Sequence, residues 1–250
     1  MLDAFKRWFA PAPAPAAAPW SEVEQWAQVA GHGFKRSRTG DGFAVDGSFE
    51  GRAWRLEWSL PQRSYIEGHE LRMRMELGLP SVLQMLVLSR PLMESLERES
   101  FERFTELTQT RIDVATSEEM RWLAMFHKAD LPASRNVKER FAAVANDPQL
   151  VSAWVEGALA SGLDQAAATF LLAEPPFVVM SLRGRVYLRL QLAVPTAASV
   201  AAVVGLYSTA CSQALRVAGS LPHAPGEWSS TASTAWHSQL HPEERQAPKA

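Results

Sequence analysis

The sequence has very little cysteine and almost no net charge. Cys211 is the one cysteine among 250 residues, which excludes an internal disulfide framework and a zinc cluster built from cysteines. The formal net charge is −2 and the isoelectric point is about 6.3, so a dominant electrostatic affinity for nucleic acid is excluded. With 47% apolar and 21% charged residues, the composition is typical of a globular chain of one large or two small domains.

The sequence also lacks the short motifs that identify common active sites. It contains no G-x-x-x-x-G-K-[ST] phosphate loop, no H-E-x-x-H zinc motif and no G-x-S-x-G nucleophile elbow. Gly31-His32-Gly33 lacks the third glycine of a dinucleotide fingerprint and follows a predicted helix. His237 and His241 are four residues apart, but ligand count and geometry do not specify a metal site. We expect neither a metal nor a cofactor.

The first 19 residues form an amphipathic segment followed by a Pro/Ala linker. In a helix, one face would carry four large apolar side chains, namely Leu2, Phe5, Trp8 and Phe9. A helix this short is marginal alone in water, so it would form against a membrane surface or in a partner's groove. A frayed apolar tail is the alternative. The alternating prolines cannot lie inside a helix and predict a semi-extended spacer.

The C-terminal stretch, 219–250, is rich in Gly, Pro, Ser, Thr and Ala and has almost no periodic apolar pattern. Such a composition buries too little surface to offset the entropy of ordering, and it predicts a disordered tail. Trp228 and Trp236 stand out in this stretch. They would either dock on the core or form a short binding motif.

Alternating apolar and polar residues over 52–60, 71–77 and 185–194 predict antiparallel strands with one solvated face. The nearly continuous apolar run 82–88 predicts a strand buried on both faces. The predicted strands cover 52–60, 71–77, 82–88, 167–173, 176–183 and 185–194. Glu50-Gly51 and Arg183-Gly184 are predicted hairpin turns. The sequence therefore predicts an α+β fold in which antiparallel β-meanders are backed by helices, as a single domain over 20–218.

Helical periodicity and capping residues predict the remaining elements. The predicted helices cover 21–30, 91–108, 116–128, 135–145, 147–159 and 196–217. Ser21 and Thr116 each begin an S/T-x-x-E capping box, and Ser134 and Asp147 are predicted N-caps. The segment 196–215 has no charge and is long enough to span a membrane. Its many Ala, Ser and Thr residues favour a buried helix instead, and we expect no transmembrane span.

Strands followed by helices occur twice along the chain, which suggests two pseudo-symmetric halves, 20–110 and 111–218. The stretches SFEGRAW (48–54) and SLRGRVY (181–187) resemble each other. However, the pattern places Trp54 on the apolar face of its strand and Tyr187 on the polar face of its strand. Side chains alternate between the two faces of a strand, so the two stretches are out of step by one residue. Duplication therefore stays one interpretation among others.

Candidate binding residues cluster in the first predicted meander. Mixed charges on neighbouring strands usually form cross-strand pairs. Arg52, Arg63 and Arg72 could instead bind an anion or an acidic partner, because guanidinium groups are planar and bidentate. His69 and Glu70 precede a strand, and His/Glu pairs can perform acid–base chemistry; a solvated turn is the alternative for both residues.

Two functional classes are compatible with these features. The first is a cytoplasmic, non-enzymatic interaction or scaffold protein, whose terminal segments tether a protein partner and whose residues 1–9 contact a membrane peripherally. The second is a small-molecule-binding protein or enzyme, with a pocket assembled from scattered residues near the first meander.

Cys211, in an apolar helical segment, is predicted to be a buried hydrophobe rather than a nucleophile. No nucleic-acid partner is expected.

Overall fold

In the part of the chain that the structure describes, nine antiparallel strands form one sheet accompanied by seven helices, and this confirms the predicted α+β class. The computed structural model describes residues 20–38, 40–106 and 116–222. The strands are β1 Gly33–Arg36, β2 Phe43–Phe49, β3 Arg52–Ser59, β4 Glu70–Glu76, β5 Met85–Ser89, β6 His127–Ala129, β7 Phe141–Ala145, β8 Phe177–Leu182 and β9 Arg185–Gln191. The helices are α1 Ser21–Val29, α2 Arg90–Glu106, α3 Glu118–Met125, α4 Arg135–Arg140, α5 Pro148–Val155, α6 Ala158–Ala167 and α7 Ala197–Ser220.

The order of the strands in the sheet is β1-β2-β3-β4-β9-β8-β5-β7-β6. Strand β5 lies between β8 and β7 although it precedes both in the chain, and β4 pairs with β9 rather than with β5. Strands from 20–110 and 111–218 therefore interleave, and both stretches contribute to the same core.

One face of the sheet is apolar along most of its width. It carries alternate residues of successive strands, including Trp54, Leu56, Met73, Leu188 and Val179, all of them buried. Helix α7 contacts β9 and β8, and α1, α5 and α6 pack against α7. The Tyr207 hydroxyl donates to the Val186 carbonyl at 2.8 Å, which anchors α7 to β9.

The opposite face of the sheet is divided between an apolar and a polar part. Helices α2 and α3 cover the apolar part over β8, β5 and β7, where they build a second core cluster. That cluster comprises Leu86, Leu88, Leu92, Met93, Leu96, Met120, Trp122, Ala142, Val144, Val178 and Met180. The polar part lies over β2, β3, β4 and β9, and it contains the candidate site described below.

Both predicted hairpin turns are confirmed. Phe49 pairs with Arg52 around Glu50-Gly51, and Leu182 pairs with Arg185 around Arg183-Gly184. The central residues have φ values of 49° and 76° in the first turn and 51° and 81° in the second. Positive φ at both positions is the requirement of the type I′ turn, whose twist matches that of the flanking strands.

Several predicted element boundaries are wrong, mostly where a helix passes directly into a strand. The predicted strand 167–173 is the end of α6 and a series of turns. The predicted helix 135–145 ends at Arg140, because 141–145 pair with β5. The predicted helix 116–128 ends at Met125 and is followed by β6. Gly157, with φ of 78°, divides the predicted helix 147–159 into α5 and α6.

The N-cap predictions are correct at two positions and wrong at two. Ser134 accepts a hydrogen bond from Val137 N, and Asp147 accepts one from Gln149 N. Ser21 is not an N-cap, since α1 begins after Trp20 without a side-chain cap. The N-cap of α3 is Ser117 rather than Thr116. Because the N-cap lies one residue later than predicted, Glu119 is not part of a capping box. Its carboxylate instead accepts hydrogen bonds from Arg63 and Tyr65.

Helix α7 is, among the described residues, a candidate membrane span by length and composition alone. Its most apolar 18-residue window has a mean hydropathy of 1.3, and 39% of that window is buried. Its contacts with β8, β9 and the neighbouring helices are those of a core helix. The expectation that it does not span a membrane stays a prediction.

Gly47 generates a prediction about the packing between β2 and β3. It lies directly opposite Trp54, and a Cβ at Gly47 would be 2.2 Å from Trp54 Cζ2. Trp54 is only 3% exposed, so its indole ring has little room to move away. We expect Gly47→Ala to lower the free energy of unfolding by about 1–3 kcal/mol in urea denaturation, as overpacked cores do.

Gly33→Ala is the matched control for this substitution. A Cβ at Gly33 would meet its nearest atom, Asp46 O, at 3.7 Å, which is an ordinary contact. We expect a change within about 0.5 kcal/mol, as for most surface substitutions. Equal losses in the two variants would contradict the packing argument.

Candidate functional site

A cluster of charged side chains forms where the α2/α3 layer ends and the polar part of the sheet begins. It joins β4, β9, α3 and the loop 60–69, which are distant in the sequence. We call this set the charged cluster: it comprises Arg63, Tyr65, Glu70, Arg72, Glu119 and Arg189. Glu70 and Glu119 are both 0% exposed. Carboxylates so deeply buried require cationic or hydrogen-bonding partners.

Glu70 receives such partners from β9 and from the preceding loop. Arg189 Nη1 donates to Glu70 Oε1, and the backbone amide of Gln62 donates to Glu70 Oε2 at 2.7 Å. Arg72 Nη1 is 3.8 Å from Glu70 Oε2. The carboxylate therefore ties the loop to two adjacent strands.

Glu119 is held by the opposite side of the cluster. Arg63 Nε donates to both carboxylate oxygens at 3.3 Å, the Tyr65 hydroxyl donates to Oε1 at 3.0 Å, and Arg189 Nε is 3.9 Å from Oε1. Burial, together with the negative charge of Glu119, raises the pKa of Tyr65 well above its usual range. Tyr65 is therefore a stable hydrogen-bond donor at physiological pH.

Beyond this cluster, the polar side chains of β1, β2, β3, β4 and β9 point away from the apolar core. We call this surface the open face: it comprises Lys35, Asp46, Arg55, Glu57, Arg74, Glu76, Arg185 and Tyr187. Its side chains are exposed or partly exposed. No member of the open face reaches the burial of Glu70 or Glu119.

The predicted cross-strand ion pairs are present on the open face. Arg55 on β3 contacts Asp46 on β2 at 2.9 Å, and it also contacts Glu57 on its own strand at 2.6 Å. Arg72 donates to Glu57 at 2.8 Å. Burial alone would raise the pKa of Glu57, but the hydrogen bonds from Arg55 and Arg72 lower it below its ordinary value. Glu57 is therefore charged at neutral pH and links the open face to the charged cluster.

Arg74 differs from the other arginines of this surface. It lies directly opposite Arg55 in the register of β3 and β4, an arrangement of like charges that is unfavourable. Arg74 is exposed, and within the described part of the chain no acidic side chain pairs with it. The open face thus retains one guanidinium that no acidic side chain of the described residues neutralises.

A small cavity lies among these side chains. Its volume is about 90 Å³, and its lining includes Arg55, Glu57, Arg72, Arg74, Tyr187 and Arg189. Pockets for drug-sized ligands are roughly 300–1,000 Å³. The cavity is therefore suited to a single small charged group.

The structure brings together three of the five predicted binding residues of the meander. Arg63, Arg72 and Glu70 all belong to the charged cluster. His69 instead stacks on Trp58, with ring centroids 4.1 Å apart and an interplanar angle of 6°, on the opposite face from Glu70. Arg52 is exposed at the start of β3. Its side chain lies on the opposite face of this strand from Arg55 and Glu57, and therefore away from the charged cluster.

Two predictions about the turn before β4 are therefore corrected. His69 and Glu70 do not form an acid–base pair, because His69, which precedes β4, stacks on Trp58 on the opposite face of the sheet from Glu70. The alternative of a solvated turn is also wrong for Glu70, which is fully buried. The ion pair with Arg189 stabilises a carboxylate that the sequence pattern assigned to solvent.

Sequence reasoning missed Tyr65, Glu119 and Arg189 as members of the site. The alternating pattern of β9 did place Arg189 on the polar face of that strand. Nothing in the sequence, however, indicated that β9 pairs with β4. Glu119 was assigned to a capping box. No pattern distinguishes Tyr65 from other loop residues.

The terminal anchor candidates Leu2, Phe5, Trp8, Phe9, Trp228 and Trp236 lie outside the described residues, as do His237 and His241. Within 20–38, 40–106 and 116–222, no group of three His, Cys, Asp or Glu residues is placed to hold a metal ion.

Cys211 is buried in α7. Burial raises the pKa of its thiol to about 12, so the reactive thiolate is scarce at neutral pH. We expect no measurable reaction of the native protein with a disulfide reagent at pH 8 and complete reaction in denaturant. Rapid labelling of the native protein would show that the thiol is accessible.

The raised pKa of Cys211 also predicts how the stability of the fold changes with pH. A raised pKa in the folded state means that Cys211 contributes stability below the pKa of the unfolded chain. That contribution is lost as the pH rises through the interval up to about 12. We expect the melting temperature of Cys211→Ala to fall less than that of the natural protein over this alkaline range.

Arg189 generates the central stability prediction of this site. Removal of its charge by Arg189→Leu leaves two buried carboxylates without their shared cation. We expect a loss of about 3–5 kcal/mol in the free energy of unfolding, measured in urea.

Arg185→Leu is the control, because Arg185 lies on the same strand and face but pairs with exposed Glu76. The side chains of this pair are 51% and 58% exposed, and such pairs contribute about 0–1 kcal/mol. Comparable losses in both variants would show that the charged cluster has no special role in stability.

Comparison with family models, with curated proteins and with solved structures gives no match for this chain.

Proposed function

We propose that this protein is a non-enzymatic interaction module that binds an acidic segment of a partner protein on the open face. The observation that carries this proposal is Arg74, an exposed guanidinium without an acidic partner among the described residues. It lies in the middle of a strand surface, between Arg55 on β3 and Tyr187 on β9. An acidic side chain of a partner would relieve the repulsion between Arg74 and Arg55.

The surroundings of Arg74 support a docking role because they are ordered before a partner arrives. Arg55 is fixed by Asp46 and Glu57, and Arg72 is fixed by Glu57. These side chains lie on a sheet whose other face is packed against α7. A surface that is ordered in advance loses less conformational entropy on binding.

The arginine-lined cavity does not favour the alternative function, a small-molecule-binding protein or enzyme near the first meander. The arginine-lined cavity measures about 90 Å³ and includes neither His69 nor Glu70. A site for an organic substrate would need several times this volume. Cys211, with its raised pKa, lacks the thiolate character that a nucleophile needs.

The terminal segments complete this proposal. Apolar anchors in 1–9 and at Trp228 and Trp236 would provide second contacts with a protein partner or a membrane surface, and a tethered second contact raises the effective concentration at the first. A cytoplasmic location is part of the same proposal.

Binding of a fluorescein-labelled, glutamate-rich peptide, followed by anisotropy at low salt, tests the open face. We expect Arg74→Glu to weaken the affinity at least about tenfold, equivalent to about 1.4 kcal/mol, because it replaces the unpaired cation with a repelling charge. The affinity of the natural protein should also fall as salt is added.

Arg52→Glu is the matched control. Arg52 is also exposed and lies on β3, but on the opposite face of the sheet, and the net charge changes by the same amount. We expect this variant to keep the affinity of the natural protein. Equal weakening by both substitutions would show a non-specific charge effect and would overturn the assignment of the open face.

A further inference from the structure

We infer that the cavity between β3, β4 and β9 is a binding site for a phosphate-type oxyanion, either free or carried by the partner segment. This inference rests on the proposed function for the partner, and it names the chemical group that the surface recognises. The cavity is lined by guanidinium groups that the protein's own acidic side chains do not fully neutralise.

Guanidinium groups dominate the lining of the cavity. Arg55, Arg72, Arg74 and Arg189 all contribute to it, and Glu57 is the acidic residue among them. Each guanidinium has five N–H donors, whereas one carboxylate accepts about four hydrogen bonds. Glu57 already receives hydrogen bonds from Arg55 and Arg72. Arg55 also donates to Asp46, and Arg189 donates to Glu70. The donors of the cavity that remain without an acceptor are therefore those of Arg74 and part of Arg72.

Arg72 provides the most specific observation. Its Nη1 atom is buried and has no hydrogen-bond partner; the nearest carboxylate oxygen, Glu70 Oε2, is 3.8 Å away. Buried polar atoms without a partner are rare in folded proteins, and each one calls for an explanation. Arg72 is also a lining residue of the adjacent cavity, so its guanidinium has donor capacity to spare beside a bound anion.

Size and geometry favour a tetrahedral oxyanion over an organic ligand or a carboxylate. A volume of about 90 Å³ is well below that of drug-sized sites. The donors come from three adjacent strands, β3, β4 and β9. A phosphate group presents at least three strong acceptor oxygens to such a set, and the planar fork of arginine matches it bidentately. A carboxylate presents only two.

The test uses inorganic phosphate at pH 7.5 and follows the arginine Nε–Hε resonances by NMR, with chloride at equal ionic strength as the control titration. We expect the signals of Arg55 and Arg72 to shift and saturate with phosphate but not with chloride. Arg74→Gln should weaken binding at least about tenfold. Arg52→Gln, on the opposite face of the sheet, should leave it unchanged. No saturable shift with phosphate would overturn the inference.

Two peptides distinguish the source of the anion: a glutamate-rich peptide containing one phosphoserine, and the same peptide without the phosphate. Tighter, Arg74-dependent binding of the phosphorylated peptide supports a partner-borne phosphate. Saturable binding of inorganic phosphate, together with equal affinities for the two peptides, supports a free anion.

The two proposals fail separately in this experiment. If the unphosphorylated peptide binds in an Arg74-dependent manner while phosphate does not, the oxyanion site is overturned and the proposed function stands. If phosphate binds while neither peptide binds in an Arg74-dependent manner, the oxyanion site stands and the protein-docking function is overturned.

Discussion

The ion pairs of Arg189 with two fully buried carboxylates are the interactions on which the polar part of this structure depends. Arg189 on β9 contacts Glu70 on β4 and Glu119 on α3. Charges removed from water are tolerated only with well-placed partners. The position of α3 over the sheet, the path of the loop 60–69 and the pairing of β4 with β9 are therefore coupled through one guanidinium.

This coupling explains why the sheet has one half-covered face. Helices α2 and α3 cover the apolar residues of β8, β5 and β7, and the charged cluster forms their border. Beyond that border the strands carry arginines and acids at alternating positions, which can remain in water without cost. The open face and its cavity thus follow from where the apolar residues of the second face end.

Local patterns predicted much of the fold but little of the site. Alternation identified β3, β4 and β9, and the Glu50-Gly51 and Arg183-Gly184 turns formed as expected. Helix ends failed where an apolar run, such as 141–145, continues a helix as a strand, because periodicity cannot separate the two in short buried segments. Arg63, Arg72 and Glu70 were recognised as candidates, whereas Glu119 and Tyr65 were not, since their role arises from contacts more than 50 residues apart in the sequence.

The sequence by itself determined the α+β class, the two faces of β3, β4 and β9 and the burial of Cys211, because these depend on the spacing of neighbouring residues. Only the tertiary structure decided that β5 inserts between β8 and β7, that Glu70 is buried while His69 stacks on Trp58, and that Arg72 and Arg74 share a cavity with Arg189. Strand order is set by which apolar surfaces fit together across the whole core, and the charges then pair with whatever that packing brings near. No local spacing contains this information.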